Sequence, residues 1–228
     1  RPETVGPVGS VVPDHGPMRP DLTTLTRKPD RGSSSRDRLD ALLDDELVGT
    51  LATVVDGDPW AVPLLFARDD DRLLLHGSTG AGALRHVTAG APIAFCVTAI
   101  DGVVVAESTF ESSANYRSAV LRGHVRNLRD DERARALDRL SERILPGRTT
   151  EVRPSTPKEW AATLAMELPI TDGSWLYKER TGGPGEPAEE HQAWCGVVPM
   201  TRTFGEPEPA PWSVGVVPAS VHALRNRR

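Results

Sequence analysis

The stretch VGTLATVVDGDPWAVPLLFARDDDRLLLHG, residues 48–77, constrains the fold more than any other. Apolar and polar residues alternate on both sides of the Asp56-Gly57 pair, the signature of two half-buried strands joined by a two-residue turn. The acidic run at 69–71 turns the chain again into a third strand, RLLLHG. Strands joined by tight turns build an antiparallel sheet, because parallel neighbours need a crossover of a dozen or more residues.

The remaining pattern extends this sheet. Ser35 caps a helix whose apolar face is Leu39, Leu42, Leu43 and Leu47. PIAFCVTAI reads as a strand, the Asp101-Gly102 pair as a turn, and VVVAES as the next strand. YRSAVLRGHVRNL reads as one long strand, on which Arg122, His124 and Arg126 share a face. The period then lengthens to that of a helix in DDERARALDRLSERILPG. Ala134, Leu137, Leu140 and Ile144 form its apolar face, and Pro146-Gly147 ends it. A second helix starts at Thr156-Pro157, with Glu159 completing a capping box and Trp160, Leu164 and Leu168 turned inward. GSWLYKE and AWCGVVPM close the sheet on either side of the loop RTGGPGEP. The fold class is mainly β with flanking helices, and the short strands favour a small closed barrel. Residues 1–35 form an extended Pro-, Gly- and Ser-rich arm, 36–205 the folded domain, and 206–228 a tail ending in a basic tip.

Charge and composition exclude some partners. The net charge of −5 is spread among mixed signs, leaving no basic field for a nucleic-acid backbone. No apolar run is long enough to span a bilayer and no signal peptide is evident, so a cytoplasmic protein without membrane contact is expected. Cys96 and Cys195 fit no zinc spacing and read as small buried thiols. No other cluster of His, Asp or Glu has metal-ligand spacing.

The chemistry concentrates at LLLHGSTGAGALRH, residues 73–86. Gly77, Gly80 and Gly82 allow a sharp turn, Ser78 and Thr79 add hydroxyls, and Arg85 lies one turn into the following helix. Such a strand-to-helix turn holds a phosphate or is simply structural. The spacing matches neither a P-loop nor a dinucleotide fingerprint.

Taken in order, GTLATVVDGDPWAVPLLFARDDDRLLLHGSTG, AIDGVVVAEST, SANYRSAVLRGHV, EVRPSTPKEWAATLAMELPI, RTGGP and WCGVVP resemble the flavin-binding split barrel. More narrowly, they resemble the branch of pyridoxamine 5′-phosphate oxidase-like proteins that includes the nitroimidazole-resistance proteins. The resemblance covers residues 36–205. It implies a homodimer of six-stranded split barrels, an FMN site at the subunit interface, and a cofactor-dependent oxidoreductase acting on a small-molecule substrate. It places the FMN phosphate near His76, Gly77, Ser78 and Thr79, and Asn115, Tyr116 and Arg117 near the cofactor or the dimer seam. Relatives commonly carry a cation just after the hydroxyl residues, where this chain has Ala81-Gly82-Ala83. Losing that charge-assisted hydrogen bond costs about 1.5–3 kcal/mol unless Arg85 replaces it.

His76 carries a second reading. An imidazole at a strand end beside an apolar pocket can ligate haem iron, with Arg85, Arg117 or Arg122 serving the propionates. Alternatively, it hydrogen-bonds a neighbouring carbonyl. His124 reads as part of a charged surface, His86 as structural, and His15, His191 and His222 as lying in irregular segments. Trp60, Trp160 and Trp175 read as core or seam residues, and Trp194 as a pocket lining. A third function stays open, that of a cofactor-free binding or regulatory protein.

Overall fold

The computed structural model describes residues 24–187, 190 and 192–225. Most of the N-terminal arm, His15, His191 and the last residues of the basic tip lie outside the described residues. In chain order the elements are β1 (Gly32–Ser33), α1 (Arg36–Asp45), β2 (Val48–Val55), β3 (Asp58–Asp69), β4 (Arg72–Ser78), α2 (Gly82–Thr88), β5 (Ile93–Val105) and β6 (Ser113–Gly123). After these come β7 (Arg126–Leu128), α3 (Asp130–Ile144), α4 (Pro157–Ala162), β8 (Thr163–Pro169), β9 (Trp175–Arg180), β10 (Gly196–Pro199) and α5 (Ala219–Arg225).

The expected hairpin forms at Asp56-Gly57. Both residues take positive φ, 53° and 91°, as a tight primed turn requires, and β2 pairs with β3 from Val55↔Asp58 to Val48↔Leu65. At that point β3 changes partner. Its residues Phe66–Asp69 pair with β4 instead. The described strands form one antiparallel sheet in the order β1-β9-β6-β5-β2-β3-β4-β8-β7, with β10 added to β5. Where the sequence suggests six strands, ten are present among the described residues. The additions include β1, β7 and β10, of two, three and four residues.

The sheet curls around one core. Leu39, Leu42 and Leu43 of α1 meet Phe66, Leu75, Phe95, Leu121, Met166 and Tyr177 there, all buried. Phe66 and Phe95 pack edge to face with ring centroids 5.4 Å apart. Ser35 caps α1 as expected, its hydroxyl accepting from the Arg38 N–H at 3.4 Å. On the opposite face of β3, β4 and β8, α3 covers a second cluster that includes Ala67, Leu74, Leu128, Ala136, Leu140 and Ala165.

Three expected elements differ. Asp101-Gly102 is not a turn. Ile93–Val105 is one strand with an irregularity between Ile100 and Gly102, where the Asp101 carboxylate bonds Arg117 and β10 runs close by. A Cβ on Gly102 would stand 2.8 Å from the Val198 carbonyl oxygen, so glycine here serves close strand approach. Residues 116–128 are not one strand either. The chain leaves β6 at Gly123 and restarts as β7 against β8, so His124 sits exposed between strands rather than on one face with Arg122 and Arg126. Finally, the capping box at Thr156 and Glu159 forms, but α4 ends at Ala162 and Thr163–Pro169 becomes a strand between β4 and β7. Pairing on both edges there outweighs the helical propensity of Leu-Ala-Met-Glu-Leu.

Smaller corrections concern single residues. His222 lies on α5. Cys96 and Cys195 form no disulfide and are half-buried rather than buried. Cys96 points away from the core because Phe95 and Val97 take the inward positions.

Packing against Phe95 gives a stability prediction. A Cβ on Gly49 would lie 2.3 Å from Phe95 Cε1 and 3.1 Å from the Cys96 carbonyl oxygen. Gly49→Ala should destabilise the fold by about 1–3 kcal/mol. Gly183→Ala, with nothing within 4 Å of the added carbon, should change the denaturant midpoint little. Equal midpoints for the two variants would contradict the packing described.

Candidate functional site

The β4–α2 junction takes its geometry from strand alternation. Leu73 and Leu75 point into the main core, while Leu74 joins the outer cluster under α3. His76 shares the outer face with Leu74 and with its cross-strand partner Ala165. Gly77 faces inward beneath α2, where a Cβ would meet Leu84 Cδ1 at 2.3 Å. The glycine therefore lets α2 sit against the strand end.

His76 is half-buried, and burial pushes its imidazole below the ordinary histidine value. Among the described residues its side chain makes no hydrogen bond or ion pair, so the expected carbonyl contact is absent. Both ring nitrogens are available to a ligand. His86, by contrast, is engaged, with Nε2 3.0 Å from the Val54 carbonyl oxygen.

The loop after His76 is tied to itself and to the end of α4. The Thr79 N–H bonds the Ala162 carbonyl at 3.1 Å, the Gly80 N–H bonds the Ser78 hydroxyl at 3.2 Å, and the Ala81 N–H bonds the Ser78 carbonyl at 3.1 Å. The Thr79 hydroxyl also donates to Ala162, at 3.3 Å. What remains for an anion is the Ser78 O–H, which so far only accepts, the first turn of α2 and the exposed Arg85. That guanidinium folds back toward the turn, with Nη2 3.9 Å from where a Gly82 Cβ would lie, and among the described residues it has no partner.

The second group lies elsewhere. Three strands stand between β4 and β6 in the sheet order. Arg117 on β6 is held by Asp101, at 3.0 and 2.9 Å, and by Asp45 at 2.6 Å. The hydrogen bonds that Arg117 donates to Asp101 outweigh burial and raise its pKa further. Asn115 accepts from Arg180 at 2.6 Å and donates to the Gly182 carbonyl at 3.1 Å, which ties down the start of the RTGGP loop. Tyr116 faces the other side, with Lys178 Nζ 5.6 Å from its ring centroid. Among the described residues no hydrogen bond, ion pair or ring contact joins these three to the His76 group. Trp194 is 66% exposed and packs on Gly196.

Sequence reasoning missed a cavity of about 500 Å³ at the C-terminal end of α1, which Arg117 borders together with Glu46 and Arg202. Glu46 and Arg202 are 156 positions apart, and nothing local in the sequence signals their ion pair. Among the described residues, no group of three or more His, Cys, Asp or Glu could hold a metal ion, and no helix is long and apolar enough to cross a membrane.

The state of His76 has a pH signature. The folded protein holds this imidazole neutral to a lower pH than the unfolded chain, whose histidines titrate near ~6.5. Stability that is full above that value is lost as pH falls toward the folded pKa. His76→Gln should reduce this acid-side loss relative to wild type, as read from denaturant midpoints at stepped pH. An NMR titration placing His76 at or above the ordinary value would contradict its burial.

Comparison with known proteins gives the junction a context. A family model described as pyridoxamine 5′-phosphate oxidase matches residues 35–175. The FAD and haem binding protein from Mycobacterium smegmatis is 47% identical. The alignment covers 86% of this chain and 97% of that one, with a TM-score of 0.82. The flavocytochrome Anf3 from Azotobacter vinelandii is 27% identical, over 90% and 97% of the two chains, with a TM-score of 0.83. A proposed 5-nitroimidazole antibiotic resistance protein from Bacteroides thetaiotaomicron shares the fold at 18% identity, over 65% and 86%, with a TM-score of 0.53. No curated protein matches the chain. With its junction, its antiparallel sheet and these matches together, the chain belongs to the pyridoxamine 5′-phosphate oxidase family.

Proposed function

We propose that this protein is a cofactor-dependent redox protein of the split-barrel type, acting on a small molecule and holding its cofactor at the β4–α2 junction. The observation that carries the reading is the likeness, along almost its whole length, to a protein that binds FAD and haem. The residues of the junction fit such a group. His76 offers a neutral imidazole with no competing hydrogen bond, which suits an axial ligand to haem iron. Arg85 and the free N–H groups opening α2 suit a phosphate or a propionate, and Arg85 supplies the cation that Ala81-Gly82-Ala83 lacks. FMN and FAD share that phosphate chemistry, and the likeness to an FAD-binding protein favours FAD as much as FMN.

When bound, a flavin or haem supplies the electron transfer. The chain's own residues position it. The Gly77–Leu84 contact fixes α2 against β4, and Leu74 and Ala165 share the sheet face of His76. We further propose a homodimer formed through the face of the sheet opposite the core. Val48, Val54 and Ile100 stand 47%, 56% and 44% exposed there, without a covering helix among the described residues.

Two measurements test this. The absorption spectrum of the purified or reconstituted protein should show flavin bands, a Soret band, or both. His76→Ala should abolish the Soret band, and Arg85→Ala should weaken flavin binding about tenfold to a hundredfold. A chain that takes up neither cofactor would instead be a binding or regulatory protein. Separately, sedimentation at micromolar concentration should show a dimer that Ile100→Asp converts to monomer. A wild-type monomer contradicts the assembly.

A further inference from the structure

After β10 the chain is tied down, loops out and is tied down again. The Met200 N–H bonds the Asp101 carbonyl at 3.0 Å, and Arg202 meets Glu46 at 2.7 Å. On the return, the N–H and the hydroxyl of the buried Ser220 donate to the Glu151 carboxylate at 3.1 and 2.5 Å. An ion pair between Glu206 and Arg225 closes the neck. Inside the loop, Pro207, Pro209, Pro211 and Pro218 each fix φ and restrict the backbone. The Ser213 N–H bonds the Ala210 carbonyl at 2.8 Å, a turn that displays Trp212. Trp212, Val214 and Val216 stand 83%, 92% and 92% exposed. A loop closed in this way holds three large apolar side chains in water, a standing cost unless another surface covers them.

The same chain carries a surface that fits them. The sheet face opposite the core, with Val48, Val54 and Ile100, has no covering helix among the described residues. Its charge is basic: Arg122 on β6 and Lys178 and Arg180 on β9 stand on it, because Leu121 and Tyr177 take the core side. Arg122 Nη1 is buried without a hydrogen-bond partner, and the cross-strand neighbours Ala94 and Ala52 offer it no acceptor. The loop is acidic in turn. Glu206 is spent on Arg225, while Glu208 makes no ion pair among the described residues.

The loop also springs from the rim of this face. β10, which leads into it, pairs with β5 from Gly196↔Val105 to Pro199↔Gly102, and β5 contributes Ile100 to the face. Loop and face are nevertheless both exposed within one chain, so they do not cover each other there. Two copies related by a two-fold axis exchange them, each loop meeting the other copy's face, and the assembly closes at two subunits.

We propose that the loop from Glu206 to Pro218 is a dimerisation arm. Trp212, Val214 and Val216 pack on the uncovered sheet face of a second copy, and Glu208 reaches Arg122 of the partner subunit. The arm rests on the dimer proposed through that sheet face and adds a second element to it. Its prolines keep the cost of ordering it low.

The test is the dimer dissociation constant of the full chain, read by sedimentation over a concentration series. Trp212→Ser leaves the domain untouched, because the side chain stands in water, and should raise the constant about tenfold to a hundredfold. Glu208→Arg should raise it about tenfold, and Glu208→Arg combined with Arg122→Glu should restore most of the loss. Ile100→Asp tests the sheet face alone. A wild-type monomer overturns both the dimer and its arm. A dimer that Ile100→Asp breaks but Trp212→Ser leaves unchanged keeps the dimer and overturns the arm, as does a charge exchange that fails to restore affinity.

Discussion

The change of partner within β3 governs both the curl of the sheet and the placement of the site. Through Leu65 the strand belongs to β2, and from Phe66 it belongs to β4. One continuous strand thus ties the two parts of the sheet together and lets them curl around a shared core. Phe66 is the first residue past the change, and its ring packs against Phe95 two strands away. Because side chains alternate strictly along a strand, this register also decides the site. It sends Leu73 and Leu75 inward, leaves His76 on the outer face beside Ala165, and puts Gly77 where α2 must approach. A slip of one residue would turn the imidazole toward the main core and carry Leu73 and Leu75 to the face under α3.

Availability then separates the functional candidates. Asn115 and Arg117 are consumed by partners that anchor the RTGGP loop and the end of α1. Thr79 is held by the Ala162 carbonyl at the end of α4. Among the described residues, the His76 and Arg85 side chains make no hydrogen bond, while the Ser78 hydroxyl accepts from the Gly80 N–H and keeps its own proton to donate. Burial at His76 favours the neutral ring that a metal ligand must be. Exposure at Arg85 leaves a charge ready for an anion. On the proposed reading, the imidazole would ligate haem iron and the guanidinium would meet a propionate or a flavin phosphate.

Much of this was legible in the sequence, and the failures have physical causes. The Asp56-Gly57 hairpin, the Ser35 cap and the Thr156–Glu159 capping box depend on residues within a few positions, and each forms. Asp101-Gly102 shares the composition of Asp56-Gly57 but not its surroundings. There Arg117 claims the carboxylate and β10 needs the missing Cβ, so the strand runs on. Thr163–Pro169 carries a helical composition, but two neighbouring strands offer it a full set of ladder bonds. The Glu46–Arg202 pair and the cavity it borders arise from chain segments far apart, and local patterns carry no trace of them.

The most direct test of the central claim is a crystal structure of the protein loaded with haem and flavin. It should place His76 within bonding distance of the iron, or a flavin phosphate against Arg85 and the opening turn of α2. Iron ligated by another residue together with a flavin seated away from the β4–α2 junction, for instance in the Arg117 cavity, would contradict it.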